Sequence, residues 1–444
     1  MYSFRKISSD ELNKFSIEHK KGHIFQTSLW GDLKTEWLKK FIGGFDERGN
    51  MVLACMLMLR KIPSTGKYLG YAPRGFICDF SNEELVKNFT DFLKSYGREN
   101  HVAFITIDPD IHLAENEKPT EYGEKIKNML INLGYKHKDS KNFEGIQPNF
   151  VFRLNLDPSK DKEDEKKEIY EGFTSKTRYN IKVAEDRGLT CEVYDKDNIN
   201  DEILDKFQEL MEITGKRDNF IVRRREYFKD MIDKLYPYCR IYMIKYNYDK
   251  DFKRLTEKFD AQQKNLERFK NKKERAILAL KDETDESKIE RNNKKLSDAE
   301  KNIEESERQI KGFEERIKEI EQYKDEKNLY VSGSVYLYFG GKGWYLYGAS
   351  HNTLRDAMPN FLMQWSMIQD TIDMGGYMYD FRGVSGDLNP DNPLYGLYKF
   401  KKGFNGNFVE FIGEYDLVID EFLYKMFKSL FPKFKEIRNK IRNR

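Results

Sequence analysis

Two periods alternate along this chain. Residues 51–59 and 102–107 are short apolar runs of the kind that form strands, while 81–96 and 122–133 carry the three- and four-residue spacing of amphipathic helices. The alternation resumes past residue 330. There, 331–338 and 344–347 predict a hairpin around the glycine-rich turn 340–343, followed by a helix over 359–373 and a strand over 378–381. Between these two regions, over 251–326, the strand pattern stops. Ile289, Leu296, Ile303, Ile310 and Ile317 recur every seven residues, with Ala299, Ser306, Phe313 and Ile320 at matching offsets. That is a heptad seam. A looser apolar stripe through Leu255, Phe259, Leu266, Phe269, Ala276 and Leu280 supplies its partner, and the polar stretch from Lys281 to Ser287 supplies the tip of an antiparallel coiled-coil hairpin.

A chain of 444 residues exceeds one ordinary hydrophobic core. With strands and helices alternating on both sides of the hairpin, the pattern predicts an α/β (α+β) protein of two domains. The second is interrupted by the coiled coil: residues 1–150 with 405–444 form one domain, 151–250 with 327–404 the other, and 251–326 the inserted arm.

Charge narrows the partners only locally. Lys and Arg total 78 against 75 Asp and Glu, a net +3, so no global field directs the chain to nucleic acid or membrane. The last stretch, Glu421–Arg444, is amphipathic and basic around Phe427, Leu430, Phe434, Ile437 and Ile441, and offers a phosphate or anionic-membrane patch. The four cysteines, Cys55, Cys78, Cys191 and Cys239, follow no CxxC or zinc spacing and read as small buried hydrophobes in a reducing compartment. The N-terminus lacks the apolar run of a signal peptide, and no stretch approaches the ~20 apolar residues of a membrane span. These features predict a cytoplasmic protein, with the basic tail available to the inner face of the membrane.

The familiar catalytic signatures are missing from the sequence: HExxH, GxSxG, the P-loop, GxGxxG and the R/QxxGxG/A pyrophosphate loop of coenzyme-A acetyltransferases. No metal is expected. What remains is polar residues beside glycine turns and aromatics, as in enzymes that position two substrates without a nucleophile of their own. FQTSLWGDLK (25–34) places Trp30 and Lys34 on one helix face, and YAPRG (71–75) presents Arg74 from a turn. Asp108 ends the 102–107 strand. Arg178 and Lys182, four apart in FTSKTRYNIKVAEDRGL (173–189), align cations suited to phosphate, and Arg223 and Tyr227 combine a fork of donors with a hydroxyl. The richest stretch holds DFRGVSGD (380–387), GLYKFKKGF (396–404) and EFIGEYDL (410–417).

Taken in order, these six segments resemble the Fem family of non-ribosomal peptidyl transferases. The resemblance implies two acetyltransferase-like (GNAT) domains. It implies transfer of glycine, alanine or serine from aminoacyl-tRNA, the co-substrate in place of any cofactor, to the stem-peptide lysine or other diamino acid of a peptidoglycan precursor, whether lipid-linked or a soluble UDP-muramyl pentapeptide. A homologous Fem-type partner is implied as well.

By the same resemblance, Lys34, Arg223, Tyr227 and Tyr347 contact the nucleotide part of the acceptor with Arg74 nearby, and Asp108 lies by the acceptor amine. Lys401, after Phe400, stabilises the oxyanion, with Lys399 competing for that role; Lys399, Lys402, Arg178 and Lys182 face the RNA. Arg382 departs from the family pattern, standing where a small residue is usual. An acyltransferase with a non-tRNA donor and a non-enzymatic coiled-coil scaffold are the competing readings.

Overall fold

The computed structural model describes residues 2–138, 145–326 and 328–429. Two twisted sheets carry the molecule. The first runs in the order Ser3–Lys6, Leu38–Phe45, Met51–Lys61, Tyr68–Ala72, Val102–Ile107, Glu414–Val418 and Tyr135–Lys138, with the short strand Ile77–Cys78 on the third. The second begins Leu189–Tyr194, Cys239–Tyr246, Tyr330–Phe339, Lys342–Ser350 and Met378–Gly383, and continues Phe150–Asn155, Asn407–Phe411, His112–Glu115 and Lys118–Pro119.

Each sheet is antiparallel apart from one parallel step spanned by a helix. Tyr68–Ala72 pairs parallel with Val102–Ile107 across helix Glu83–Glu99, and Lys342–Ser350 pairs parallel with Met378–Gly383 across helix Pro359–Asp373. The repeated plan fits the expected pair of acetyltransferase-like units. Local chemistry explains the pieces. Asn82 caps the 83–99 helix through the Leu85 N–H, Glu83 and Glu84 complement the dipole in its first turn, and Leu85, Phe89 and Leu93 bury one stripe against the sheet. Val102–Ile107 is buried on both faces, as its apolar run, broken only by Thr106, requires.

Sheet membership does not follow the boundaries expected at 150 and 405. Residues 112–119 and 407–411 belong to the second sheet, and the chain passes between sheets at 108–111, over 120–134, between residues 138 and 150, and at Ile412–Gly413. These crossings are stitched together: Ile412 N–H donates to the Ile111 carbonyl (3.0 Å) and Phe411 N–H to the Asn149 carbonyl (2.9 Å). Gly413 turns with φ +88°, a conformation open to glycine. One apolar core runs across the seam, joining Phe25, Trp30, Met56 and Tyr71 to Phe207, Phe228, Met231 and Trp344.

The arm is two helices, Tyr248–Leu280 and Glu286–Ile320, capped by Asn247 and Asp285. Lys273 pairs with Glu300 (2.9 Å), and Ala276, Ala299 and Ser306 are buried in the seam. Gln262 donates to Ser306 Oγ (3.1 Å), a polar seam contact of the kind that fixes register. At about 1.5 Å per residue, the first arm of 33 residues reaches roughly 50 Å. Among the described residues no helix is long and apolar enough to cross a membrane. Of the basic terminal segment, only 421–429 is described, a helix whose Tyr424 packs edge-on against Phe104; residues 430–444 lie outside the described residues.

Candidate active site

Lys34, Arg223, Tyr227 and Tyr347 come together from three elements on the two sides of the seam. Thr27 caps the short helix Ser28–Leu33 by accepting the Trp30 N–H (3.2 Å), which sets Lys34 at the helix end with its ammonium over the Trp30 ring (4.4 Å). From there Lys34 donates to Tyr227 Oη at 2.6 Å. Tyr227 stands on helix Arg225–Lys234, beneath the Arg223 guanidinium (5.1 Å) and edge-on to Tyr347 (6.4 Å) on strand Lys342–Ser350. Burial, then the neighbouring Arg223, lowers the Lys34 pKa to about 8, and burial first of all pushes the Tyr227 hydroxyl far up. The cluster is cationic and aromatic-walled, an arrangement able to hold an anion.

A second group lies where the chain crosses between sheets. Asp108 is buried at the end of its strand, accepting the Tyr71 hydroxyl on Oδ2 (2.9 Å) and the Arg74 N–H on Oδ1 (2.5 Å). Burial raises its pKa to about 6 against the pull of Arg74, leaving a carboxylate that is a competent base near neutrality. Arg74 is also buried, with φ +51°, and donates to the Pro148 carbonyl (2.8 Å) while stacking on Phe411 (4.3 Å). Asp108, Arg74, Gln147, Pro148 and Glu414 line a small pocket here.

Lys401, expected as the oxyanion contact, is buried. It is 3% exposed, and its three N–H donors are taken by the carbonyls of Phe381 (2.6 Å), Arg382 (3.2 Å) and Gly383 (2.8 Å). Burial lowers its pKa to about 7. Phe400 packs edge-on to Phe361 and Phe404, while Lys399 and Lys402 are exposed over Tyr395 and Tyr398. Arg178 is not aligned with Lys182 toward solvent. It turns back onto the carbonyls of Glu171 and Phe173, closing the preceding helix, and Lys182 is exposed without it.

Sequence reasoning passed over Arg153 and Gln147. Arg153 is buried with both nitrogens of its fork on Asp110 (2.6 and 2.7 Å), Nε on Asp380 (3.0 Å) and a contact to His112 Nε2 (2.8 Å). Its signal was a lone charge inside the apolar strand FVFRLN (150–155). Gln147 accepts from Arg382 (2.7 Å) and makes a long contact to Tyr71 Oη (3.5 Å). Arg382 in turn lies 5.5 Å from the Phe25 ring, which stacks on Trp30 at 4.0 Å. One continuous set of contacts therefore leads from the Lys34 cluster to the carboxylate. Among the described residues no three His, Cys, Asp or Glu side chains are grouped to hold a metal ion.

A family model described as the FemAB family matches residues 7–431. The chain belongs to this family. This FemAB protein is 29% identical over 440 residues to the lipid II:glycine glycyltransferase of Staphylococcus epidermidis, covering 98% of this chain and 97% of that one. It is 29% identical over 446 residues to the enzyme of the same name from Staphylococcus aureus, with the same coverage. Its fold matches the crystal structure of FemX with a TM-score of 0.70 and 28% identity, over 96% of this chain and 99% of the other.

Proposed function

We propose that this FemAB protein is an aminoacyltransferase that moves glycine from glycyl-tRNA to the stem-peptide lysine amine of lipid II, building the interpeptide bridge of peptidoglycan. The observation that carries the reading is the end-to-end likeness to lipid II:glycine glycyltransferases. The site geometry supports it. The Lys34 cluster offers cations to a diphosphate, and Asp108 offers a base beside a small pocket.

The amine nitrogen attacks the ester carbonyl, forming the C–N bond. The resulting tetrahedral centre collapses with loss of the ribose oxygen, so the ester C–O bond breaks and the tRNA leaves as its free hydroxyl. The proton shed by the amine passes to Asp108 and from there to that ribose oxygen. Lys401 keeps the 381–383 backbone in place. Alanine and serine are alternative donors, and a soluble UDP-muramyl pentapeptide is the alternative acceptor. The site of action is the cytoplasm, at the inner face of the membrane where lipid II is held.

The test is transfer of labelled glycine, alanine or serine from charged tRNA to lipid II and to the soluble precursor, with and without RNase. Glycine on lipid II, abolished by RNase, is the expected result. RNase-resistant transfer would replace tRNA with another acyl donor, and no transfer to either acceptor would overturn the reading.

Lys34→Met is expected to raise the acceptor KM about 10- to 100-fold, the worth of one charged hydrogen bond, with kcat little changed. The pH dependence follows in sign. Lys34 is a cation below its pKa of about 8, so wild-type KM rises above that pH, whereas the variant loses this dependence. Initial-rate kinetics between pH 7 and about 9 check both outcomes.

A further inference from the structure

We propose that the loop 219–224 docks this protein on the anionic bilayer surface that holds its acceptor, with Phe220 and Ile221 entering the headgroup–acyl boundary beside Arg223. The inference rests on the transferase reading above and names the surface by which the same acceptor cluster reaches a lipid-borne substrate.

The loop joins helix Asp201–Asp218 to helix Arg225–Lys234. Asn219 closes the first helix in the left-handed conformation (φ +54°), with its N–H on the Gly215 carbonyl. Val222 then folds inward against the apolar core. A Cβ on Gly215 would lie 2.3 Å from the Val222 side chain, so glycine is what lets the loop close down at that point. Anchored in this way, the loop leaves Phe220 and Ile221 outside, 43% and 64% exposed. Single apolar side chains in water need no account, but two large neighbours held out by an inward anchor mark a contact surface.

The charges around them say which surface. Arg217 is paired with Asp218 (2.9 Å), and Arg225 with Asp201 and Asp205. Lys216, Arg223 and Arg224 are exposed and form no ion pair among the described residues, against one exposed acid in the same condition, Glu226. Apolar side chains flanked by uncompensated cations suit an anionic lipid surface, where the cations meet phosphate and the apolar groups pass below it.

The acceptor cluster sets the depth. Arg223 lies over the Tyr227 ring (5.1 Å), whose hydroxyl accepts from Lys34, so the loop ends in one of the cations offered to the diphosphate. In lipid II that diphosphate stands at headgroup level with its prenyl chain in the bilayer. At no more than about 3.6 Å per residue, Phe220 is within roughly 11 Å of Arg223 along the chain. The headgroup layer of one leaflet is about 5–8 Å deep. The loop therefore has the reach to bring its apolar pair to the acyl boundary while Arg223 stays with the phosphates.

The test begins with the full chain and vesicles free of lipid II. Binding to phosphatidylglycerol–phosphatidylcholine vesicles at low salt is expected, with weaker binding to phosphatidylcholine alone. Phe220→Ser with Ile221→Ser should weaken the partition about 10- to 100-fold, the loss of two partly buried apolar side chains, and exposed loop positions leave the fold intact. Because the basic terminal segment also offers cations, Ile221→Trp reads the loop itself: brominated acyl chains should quench its fluorescence beyond the wild-type level. Quenching no greater than wild type, an unchanged partition in the double variant, or equal binding to neutral vesicles overturns the proposal.

Transfer supplies the second readout. With lipid II in anionic vesicles, the double variant should lose kcat/KM by about the same factor, while transfer to a water-soluble lipid II analogue with a short prenyl chain stays at wild type. Equal losses on both acceptors would mean that the loop grips the acceptor rather than the bilayer, and would overturn the docking role. No transfer by the wild-type chain overturns the function itself, and the substrate-free vesicle assay still decides the surface.

Discussion

Asp108→Asn is expected to lower kcat for glycine transfer by about 10²–10⁴-fold, the range for removing a positioned general base, with little change in melting temperature. The substitution suits the question because asparagine nearly preserves shape and hydrogen bonds. Its carbonyl can keep the Arg74 N–H now on Oδ1, and its amide can donate to Tyr71 Oη once that hydroxyl turns. What it cannot do is accept a proton.

The pH profile carries a second signature. Burial raises the Asp108 pKa to about 6, so the active carboxylate accumulates as pH rises through that value and transfer rises with it. A further rise at higher pH belongs to the substrate amine, whose ordinary pKa is about 10.4. Asp108→Asn should lose the lower limb and keep the upper one. The stability effect has the opposite direction: a carboxyl whose folded pKa is raised stabilises the fold fully below the unfolded value of 3.8, and that contribution is lost as pH rises through about 6. A variant profile that still shows the limb near pH 6 would remove Asp108 from the role of base.

Local signals carried much of the architecture. The strand Val102–Ile107 and the helix Pro359–Asp373 fall where their apolar runs and the proline at the helix start place them, and the heptad seam of the second arm is the packed one. The motif FQTSLWGDLK delivered Lys34 because a cap and one helical turn suffice to set its side chain over Trp30. Where local rules run out, the sequence misleads. In GLYKFKKGF the three lysines look alike, yet helical spacing puts Lys401 on the buried face with Tyr398 and turns Lys399 and Lys402 outward. Only the distant carbonyls of 381–383 explain why a lysine is tolerated there. The exchange of residues 407–411 into the second sheet was equally hidden, because strand partners more than 250 residues apart leave no periodic trace. Arg178 was legible as a cation but not as a cap, since its acceptors belong to the preceding helix.

The largest effect on stability is expected from Arg153→Met, at about 3–5 kcal/mol, because it removes the shared cation from the buried Asp380 and the half-buried Asp110 while roughly keeping the volume of the side chain. Asp110 comes from a crossing between sheets and Asp380 from strand Met378–Gly383, so Arg153 ties that crossing to the strand leading into Arg382. Burial alone would raise the Asp110 pKa, yet Arg153 outweighs it and holds the carboxyl well below its usual range. The wild-type contribution from Asp110 is therefore fully present above the unfolded pKa and is lost as pH falls through the depressed folded one.

In Arg153→Met the sign reverses. With Arg153 gone, Asp110 keeps the burial that favours its protonated form and loses the cation that opposed it, so the variant should melt higher at pH 5 than at pH 8. Thermal denaturation across that interval measures both the size and the slope. A variant that melts like wild type and shows the same pH dependence would mean that the network contributes no net stability to the seam. A destabilised variant with the reversed slope would identify Arg153 as the charge that holds the crossing segments, and with them Asp108 and Arg382, in register.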